Sequence, residues 1–152
     1  ENINGEDLEA LMSEGTATIW FHPVATMDGS GNFSGYSGLA TNAIATVAHH
    51  APETFLEANS ALFDLYWDAV ESGATVAPGL PEIEAALTEA GVPADVVARL
   101  ADSEYLEWTQ ATTRQFGRDG YRGTPVLEIN DEEFGGWSEP GALRAAVEAA
   151  AG

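Results

Sequence analysis

Only two stretches of this 152-residue chain read as β-structure, residues 16–22 and 123–134, and helical pattern fills most of what lies between them. The first, Thr-Ala-Thr-Ile-Trp-Phe-His, is β-branched and aromatic, and Pro23 closes it. The second runs Gly123-Thr124-Pro125-Val126-Leu127-Glu128-Ile129-Asn130-Asp131. Its apolar alternation gives a strand, and Asn130-Asp131 is turn chemistry leading to a second short strand near Phe134. So few short strands cannot easily bury the apolar faces of many helices. The strand at 16–22 also follows a helix directly, as the second half of a βαβ unit would. A further strand ahead of Glu1 is therefore expected.

The helices announce themselves through caps and spacing. Asn4 can cap a first helix over 4–14, in which Leu8, Leu11 and Met12 share a face and Gly15 ends the run. A Gly/Ser/Asp loop over 24–35 leads to a helix at 36–50 carrying Leu39, Ala43 and Val47 among small neighbours. Pro52 opens the next, with Phe55, Leu62, Phe63 and Tyr66 expected inward. After a Gly/Pro link at 71–81, Pro81 and Pro93 each start a helix, and Gly91 ends the first of these. A longer helix, capped by Asp102 or Ser103, carries Tyr105, Leu106, Trp108 and Phe116. Ser138, Glu139 and Pro140 begin a terminal amphipathic helix over 140–151. There is no internal repeat. The expectation is one α/β domain over 1–152, incomplete at its N-terminus, with a helical insertion at about 36–119.

Charge and residue types narrow the chemistry. Asp plus Glu number 25 against five arginines, a net charge of −20. Such a surface repels phosphate backbones and anionic headgroups, which argues against nucleic acid and favours a basic protein partner or simple solubility. No cysteine is present, so disulfides, thiolate catalysis and thiolate metal sites are excluded within the chain. No apolar run approaches the roughly 20 residues of a membrane span. His22 ends a strand, while His49 and His50 are adjacent on a helix and point apart, so no metal site is expected. Asp28-Gly29-Ser30-Gly31-Asn32 loosely suggests a calcium loop, but Leu39 stands where an EF-hand places its glutamate. Arg114 and Arg118 share a helix face close before Gly123, with Arg122 beyond. They either hold an acidic partner or neutralise an acidic surface locally. Of the tryptophans, Trp137 in its glycine-flanked turn is expected to be the exposed one. No phosphate loop, nucleophile elbow or dinucleotide fingerprint appears, and no cofactor is expected.

Three elements in order carry a resemblance. They are the strand ending Phe21-His22-Pro23-Val24 before Tyr36-Ser37 and its alanine-rich helix, the helical block ending Tyr105-Leu106-Glu107-Trp108-Thr109, and Gly123-Thr124-Pro125-Val126 with the Asn130-Asp131 turn. Together they span nearly the whole chain. The pattern resembles the DsbA-like branch of the thioredoxin superfamily, in particular the extracytoplasmic thiol-disulfide oxidoreductases of actinobacteria. The resemblance implies a thioredoxin-like fold, a cis peptide bond between Thr124 and Pro125, and a substrate-binding loop formed by Gly123, Thr124 and Pro125. It also implies a Cys-x-x-Cys at the start of a helix, where the helix dipole favours the thiolate. Here the chain departs from the family, for no residue in it can act as the nucleophile. Either residues ahead of Glu1 carry the dithiol or the site is redox-silent, and the missing strand favours the former.

Two functional readings follow. One is a thiol-disulfide oxidoreductase whose dithiol is not in this chain. The other is a non-catalytic thioredoxin-fold accessory subunit that docks a basic partner or a membrane complex through its acidic surface. Both imply a protein or peptide partner and an extracytoplasmic location, in the cell envelope or secreted, with any membrane anchor outside this chain.

Overall fold

Helix α2 (Tyr36–His50) is buried on nearly every side, with Thr41, Asn42, Ala43, Ile44, Ala45, Thr46 and Val47 all buried. Its small side chains let the neighbouring helices approach closely, and its buried threonine hydroxyls are satisfied within the helix. Thr41 donates to the Ser37 carbonyl at 2.8 Å and Thr46 to that of Asn42 at 2.9 Å. The computed structural model describes residues 4–28 and 35–151, which form two units: residues 22–120, and the two outer segments taken together. Residues 1–3, 29–34 and 152 lie outside the described residues, and 29–34 are half of the loop expected at 24–35.

The inner unit is helical. A single 3₁₀ turn at Pro52–Thr54 leads into α3 (Phe55–Glu71), followed by α4 (Leu80–Glu89), α5 (Ala94–Val97), a second 3₁₀ turn (Ala98–Asp102) and α6 (Leu106–Arg118). Its core joins Tyr36, Ile44, Val47, Ala58, Leu62, Ile83, Leu87, Val96 and Leu100. Burying each large aliphatic side chain there contributes about 1.5–3 kcal/mol. Helix α2 packs against α3, α4 and α6, and α3 against α4.

Two expectations for this unit are corrected. Helix α6 starts later than Asp102 or Ser103. Ser103 takes a left-handed turn (φ 51°), and Tyr105 precedes the first turn, its N–H held at 3.0 Å by the Asn42 side-chain carbonyl of α2. The cap thus comes from a neighbouring helix, beyond the reach of local sequence. Phe63, expected inward, is exposed, because Ala58 and Leu62 already fill the buried face of α3.

The outer unit holds α1 (Gly5–Ser13), the hairpin of β1 (Glu128–Ile129) and β2 (Glu132–Glu133), and α7 (Ala142–Ala151). Helix α1 packs on α7, with Leu11 and Leu143 buried. Gly15 (φ 69°) ends α1, and the Thr16 N–H bonds the Leu11 carbonyl at 3.0 Å. The hairpin is antiparallel with Ile129 opposite Glu132, and Asn130 and Asp131 both have positive φ, 52° and 67°. These are the signs of a type I′ turn, whose twist matches that of the strands. Helix α7 begins two residues after Pro140, once Gly141 (φ 74°) has turned the chain.

The strand expected at 16–22 forms no ladder, and β1–β2 is the single pairing among the described residues. Its side chains do alternate as in a strand, with Ala17 and Ile19 half-buried and Thr16, Thr18 and Trp20 exposed. A strand is defined by its ladder to a neighbouring strand, and among the described residues this segment forms no ladder. No described helix is long and apolar enough to cross a membrane.

Candidate functional site

The loop at 123–125 enters β1 with its backbone open. The Thr124–Pro125 peptide bond is cis, and Gly123, Thr124 and Pro125 are all exposed while Val126 and Leu127 turn half-inward. Proline removes one ladder donor at the strand's mouth. No described residue bonds the backbone of Gly123 or Thr124, so their polar groups face solvent. Below the loop the hairpin is closed firmly. The Phe134 N–H donates to the Leu127 carbonyl at 2.8 Å, and the Tyr121 hydroxyl donates to the Glu128 carboxylate. Chemically this is a rigid base presenting a short free main-chain edge, which an extended peptide can pair with.

The first turn of α1 belongs to the same unit. Asn4 precedes the helix without capping it through its side chain, and its amide instead donates to the Trp137 carbonyl at 2.7 Å. The amide oxygen of Asn4 is buried with no partner among the described residues. Trp137, expected to be exposed, is half-buried because its turn is tied to α1 in this way, whereas Trp20 is 81 % exposed. Glu6 and Asp7 lie in the first turn of α1, where the helix dipole favours negative charge. Arg144 of α7 bonds Glu14 at 3.0 Å and Glu148 at 3.0 Å and lies 3.7 Å from Asp7. The hydrogen bond from Arg144 holds the Glu14 carboxyl below its ordinary value, and the same contacts raise Arg144.

The remaining candidates lie in the helical unit. His50 is 3.3 Å from Glu104, and both His49 and His50 pack their rings near Tyr105. Partial burial, and then the Glu104 carboxylate, push the Tyr105 phenol up. Arg114 and Arg118 lie beside Trp108 along one open face of α6, with no partner among the described residues. Asp28, read from sequence as part of a false calcium loop, is a helix cap. Its carboxylate accepts the Ser37 N–H at 2.9 Å and the Gly38 N–H at 2.5 Å, satisfying the first turn of α2. The cap lies far enough upstream of its helix that no local capping pattern reveals it.

No protein-family model matches the chain, and no curated protein matches it. Among solved structures it is similar to the MdbA protein, a thiol-disulfide oxidoreductase from Actinomyces oris, with a TM-score of 0.81. The superposition covers 97 % of this chain and 70 % of that one, at 20 % sequence identity. At that identity the likeness speaks for backbone architecture, and it is nearly complete over this chain. The chain therefore shares the thioredoxin-like α/β backbone fold of that protein.

Proposed function

We propose that this chain is the substrate-binding portion of a thiol-disulfide oxidoreductase, with Gly123, Thr124 and Pro125 forming the edge on which a substrate peptide lies. The observation that carries this reading is the exposed loop at Gly123, Thr124 and Pro125 with its open main-chain edge, set in a fold shared with an enzyme of that class. An extended polypeptide would bond the free main-chain groups of Gly123 and Thr124, an interaction that tolerates many sequences. In such a cycle a thiolate attacks a substrate disulfide and forms a mixed disulfide. The second thiol then attacks that bond and releases the reduced substrate, leaving the enzyme's own disulfide. Neither thiol belongs to these 152 residues, which contain no cysteine. Thiol exchange of this kind requires no metal or organic cofactor. Where such exchange forms disulfides that persist, the compartment is oxidising, so an extracytoplasmic site of action goes with this reading.

The absence of cysteine also favours a second reading: a redox-silent accessory subunit that docks a basic protein through its acidic surface. One experiment separates the two. The complete natural protein containing these residues is assayed for reduction of insulin disulfides and for oxidation of a dithiol peptide. Turnover supports the oxidoreductase and excludes the silent subunit. A folded protein without turnover in either direction excludes the oxidoreductase.

A further inference from the structure

Helix α3 carries a second apolar face that nothing among the described residues covers. Phe63, Trp67 and Val70 are 61 %, 54 % and 48 % exposed, while the opposite side of the same helix is buried through Ala58 and Leu62. These side chains do not fall at random around the helix. Leu56, Phe63 and Val70 recur every seventh residue, and Trp67 stands four after Phe63 and three before Val70. That is the alternating spacing of a helix–helix seam, in which side chains at such positions interlock with those of a partner helix. Tyr66 braces Trp67 edge-on, with ring centroids 5.6 Å apart.

The flank of the seam is acidic in the same register. Glu57, Asp64 and Glu71 each follow a seam residue by one position, so they form a row beside it, and Asp68 lies just beyond. None of these carboxylates has an ion-pair partner among the described residues. In paired helices this flanking position meets the partner's own flank, where charge decides which partner is accepted. We propose that this face of α3 docks an amphipathic helix of another protein bearing lysine or arginine beside its apolar stripe. A second copy of this chain is disfavoured, because its own α3 would set carboxylate against carboxylate at a net charge of −20 per chain. An anionic membrane is disfavoured for the same reason. The proposal supplies a docking face for the basic partner of the accessory-subunit reading. It lies wholly on α3, so its failure would leave the disulfide-exchange assay unaffected.

The test uses a labelled peptide of about three heptads, with leucine on its seam and lysine on both flanks. Two controls accompany it: the same composition scrambled, and the same seam flanked by glutamate. Fluorescence anisotropy with the 152-residue chain should show binding of the amphipathic lysine peptide, with the scrambled one at least about tenfold weaker and the glutamate one weaker still. Phe63→Ser should reduce affinity by roughly tenfold with an unchanged circular dichroism spectrum, and Val70→Ser serves if that variant misfolds. Replacing Glu57, Asp64 and Glu71 by their amides should weaken binding and flatten its salt dependence, while Glu9→Gln, Glu132→Gln and Glu133→Gln together should not. Equal binding of amphipathic and scrambled peptides would overturn the proposal, as would indifference to both Phe63→Ser and Val70→Ser. Self-association of the chain, or binding to phosphatidylcholine vesicles, that Phe63→Ser abolishes would assign the face to a different occupant and overturn it equally.

Discussion

The side-chain amide of Asn4 donates to the main-chain carbonyl of Trp137 at 2.7 Å, joining residues 133 positions apart in sequence. The bond fixes the turn after the hairpin against the first turn of α1, and it takes the side chain away from the capping role that its position suggests. Its energetic value is mixed. The amide nitrogen is well used, while the amide oxygen is buried with no partner among the described residues, a situation that itself costs stability. Asn4→Ala removes both, so the expected loss in urea-unfolding free energy is small, about 1 kcal/mol or less. Asn4→Asp should cost more than Asn4→Ala, because it sets a carboxylate oxygen against the Trp137 carbonyl where a donor stood. Reversal of that order would show that the bond to Trp137 does not hold the turn.

Asp28 and Gly35 make a paired prediction. The Asp28 carboxylate caps α2 through the N–H groups of Ser37 and Gly38. It does so across Gly35, where an added Cβ would sit 2.7 Å from the carboxylate oxygen. Asp28→Ala should destabilise the helical unit by about 1–2 kcal/mol through loss of the cap. Gly35→Ala should cost a similar amount for a different immediate reason, displacing the carboxylate from the same N–H groups. Because both act on one cap, the double variant should lose little more than either single one. A double-mutant cycle in urea measures that shortfall directly. Additive losses would show that the cap does not depend on the space at Gly35.

Tyr36 gives the helical unit a defined alkaline limit. Its hydroxyl donates to the Leu62 carbonyl inside the core, and burial pushes the phenol up from its usual value of 10.0. The folded state therefore holds the proton more tightly than the unfolded chain. The associated stability is complete below about pH 10, the unfolded value, and declines as pH rises above it. For one proton the slope approaches about 1.4 kcal/mol per pH unit. Tyr36→Phe should lose about 1 kcal/mol at neutral pH with the hydrogen bond. It should also unfold with a shallower dependence on pH between about 10 and 11 than the unmutated chain. Parallel profiles would show that Tyr36 does not set this limit.

Local signals in the sequence reveal much of this molecule, and they fail where a partner is distant. Tyr36–His50 is found at its observed bounds because a run of small residues between Gly35 and Pro52 admits little else. The Asn130-Asp131 turn is equally visible, since turn chemistry there is confined to adjacent residues. By contrast, the start of α6 is set by Asn42, and the cap of α2 by Asp28. Both are long-range hydrogen bonds that leave no periodic trace. Phe63 departs from its expected place for a related reason. Helical periodicity marks two apolar faces on α3 but does not say which one meets the core. The loop at 123–125 is legible as a motif, because a proline after Gly-Thr at the mouth of a strand is restrictive. Strand 16–22 shows the complementary failure: side-chain alternation is a property of the segment, whereas a ladder needs a second chain segment beside it.

The hairpin beneath the candidate peptide-binding edge is held against unfavourable local terms, and relieving them should stabilise it. Asn130 and Asp131 both occupy left-handed backbone, which asparagine and aspartate tolerate but glycine adopts without steric cost. Asp131→Gly should therefore stabilise the hairpin by about 0.5–1 kcal/mol. Directly across the ladder, Glu128 faces Glu133, a like-charge pair that weakens strand association. Glu133→Lys turns that repulsion into attraction and should contribute about 0.2–1 kcal/mol. Glu128→Lys should contribute less, because Glu128 also accepts the Tyr121 hydroxyl and the substitution removes that bond. The Phe134 N–H, bonded to the Leu127 carbonyl at the foot of the hairpin, provides a local readout in native-state hydrogen exchange. Its protection should rise in Asp131→Gly and in Glu133→Lys, and should rise least in Glu128→Lys. If Glu128→Lys instead protected it as well as Glu133→Lys, the Tyr121 contact would contribute nothing to holding the loop's base. The rigidity assigned to the Gly123–Thr124 edge would then have to come from the strand pairing alone.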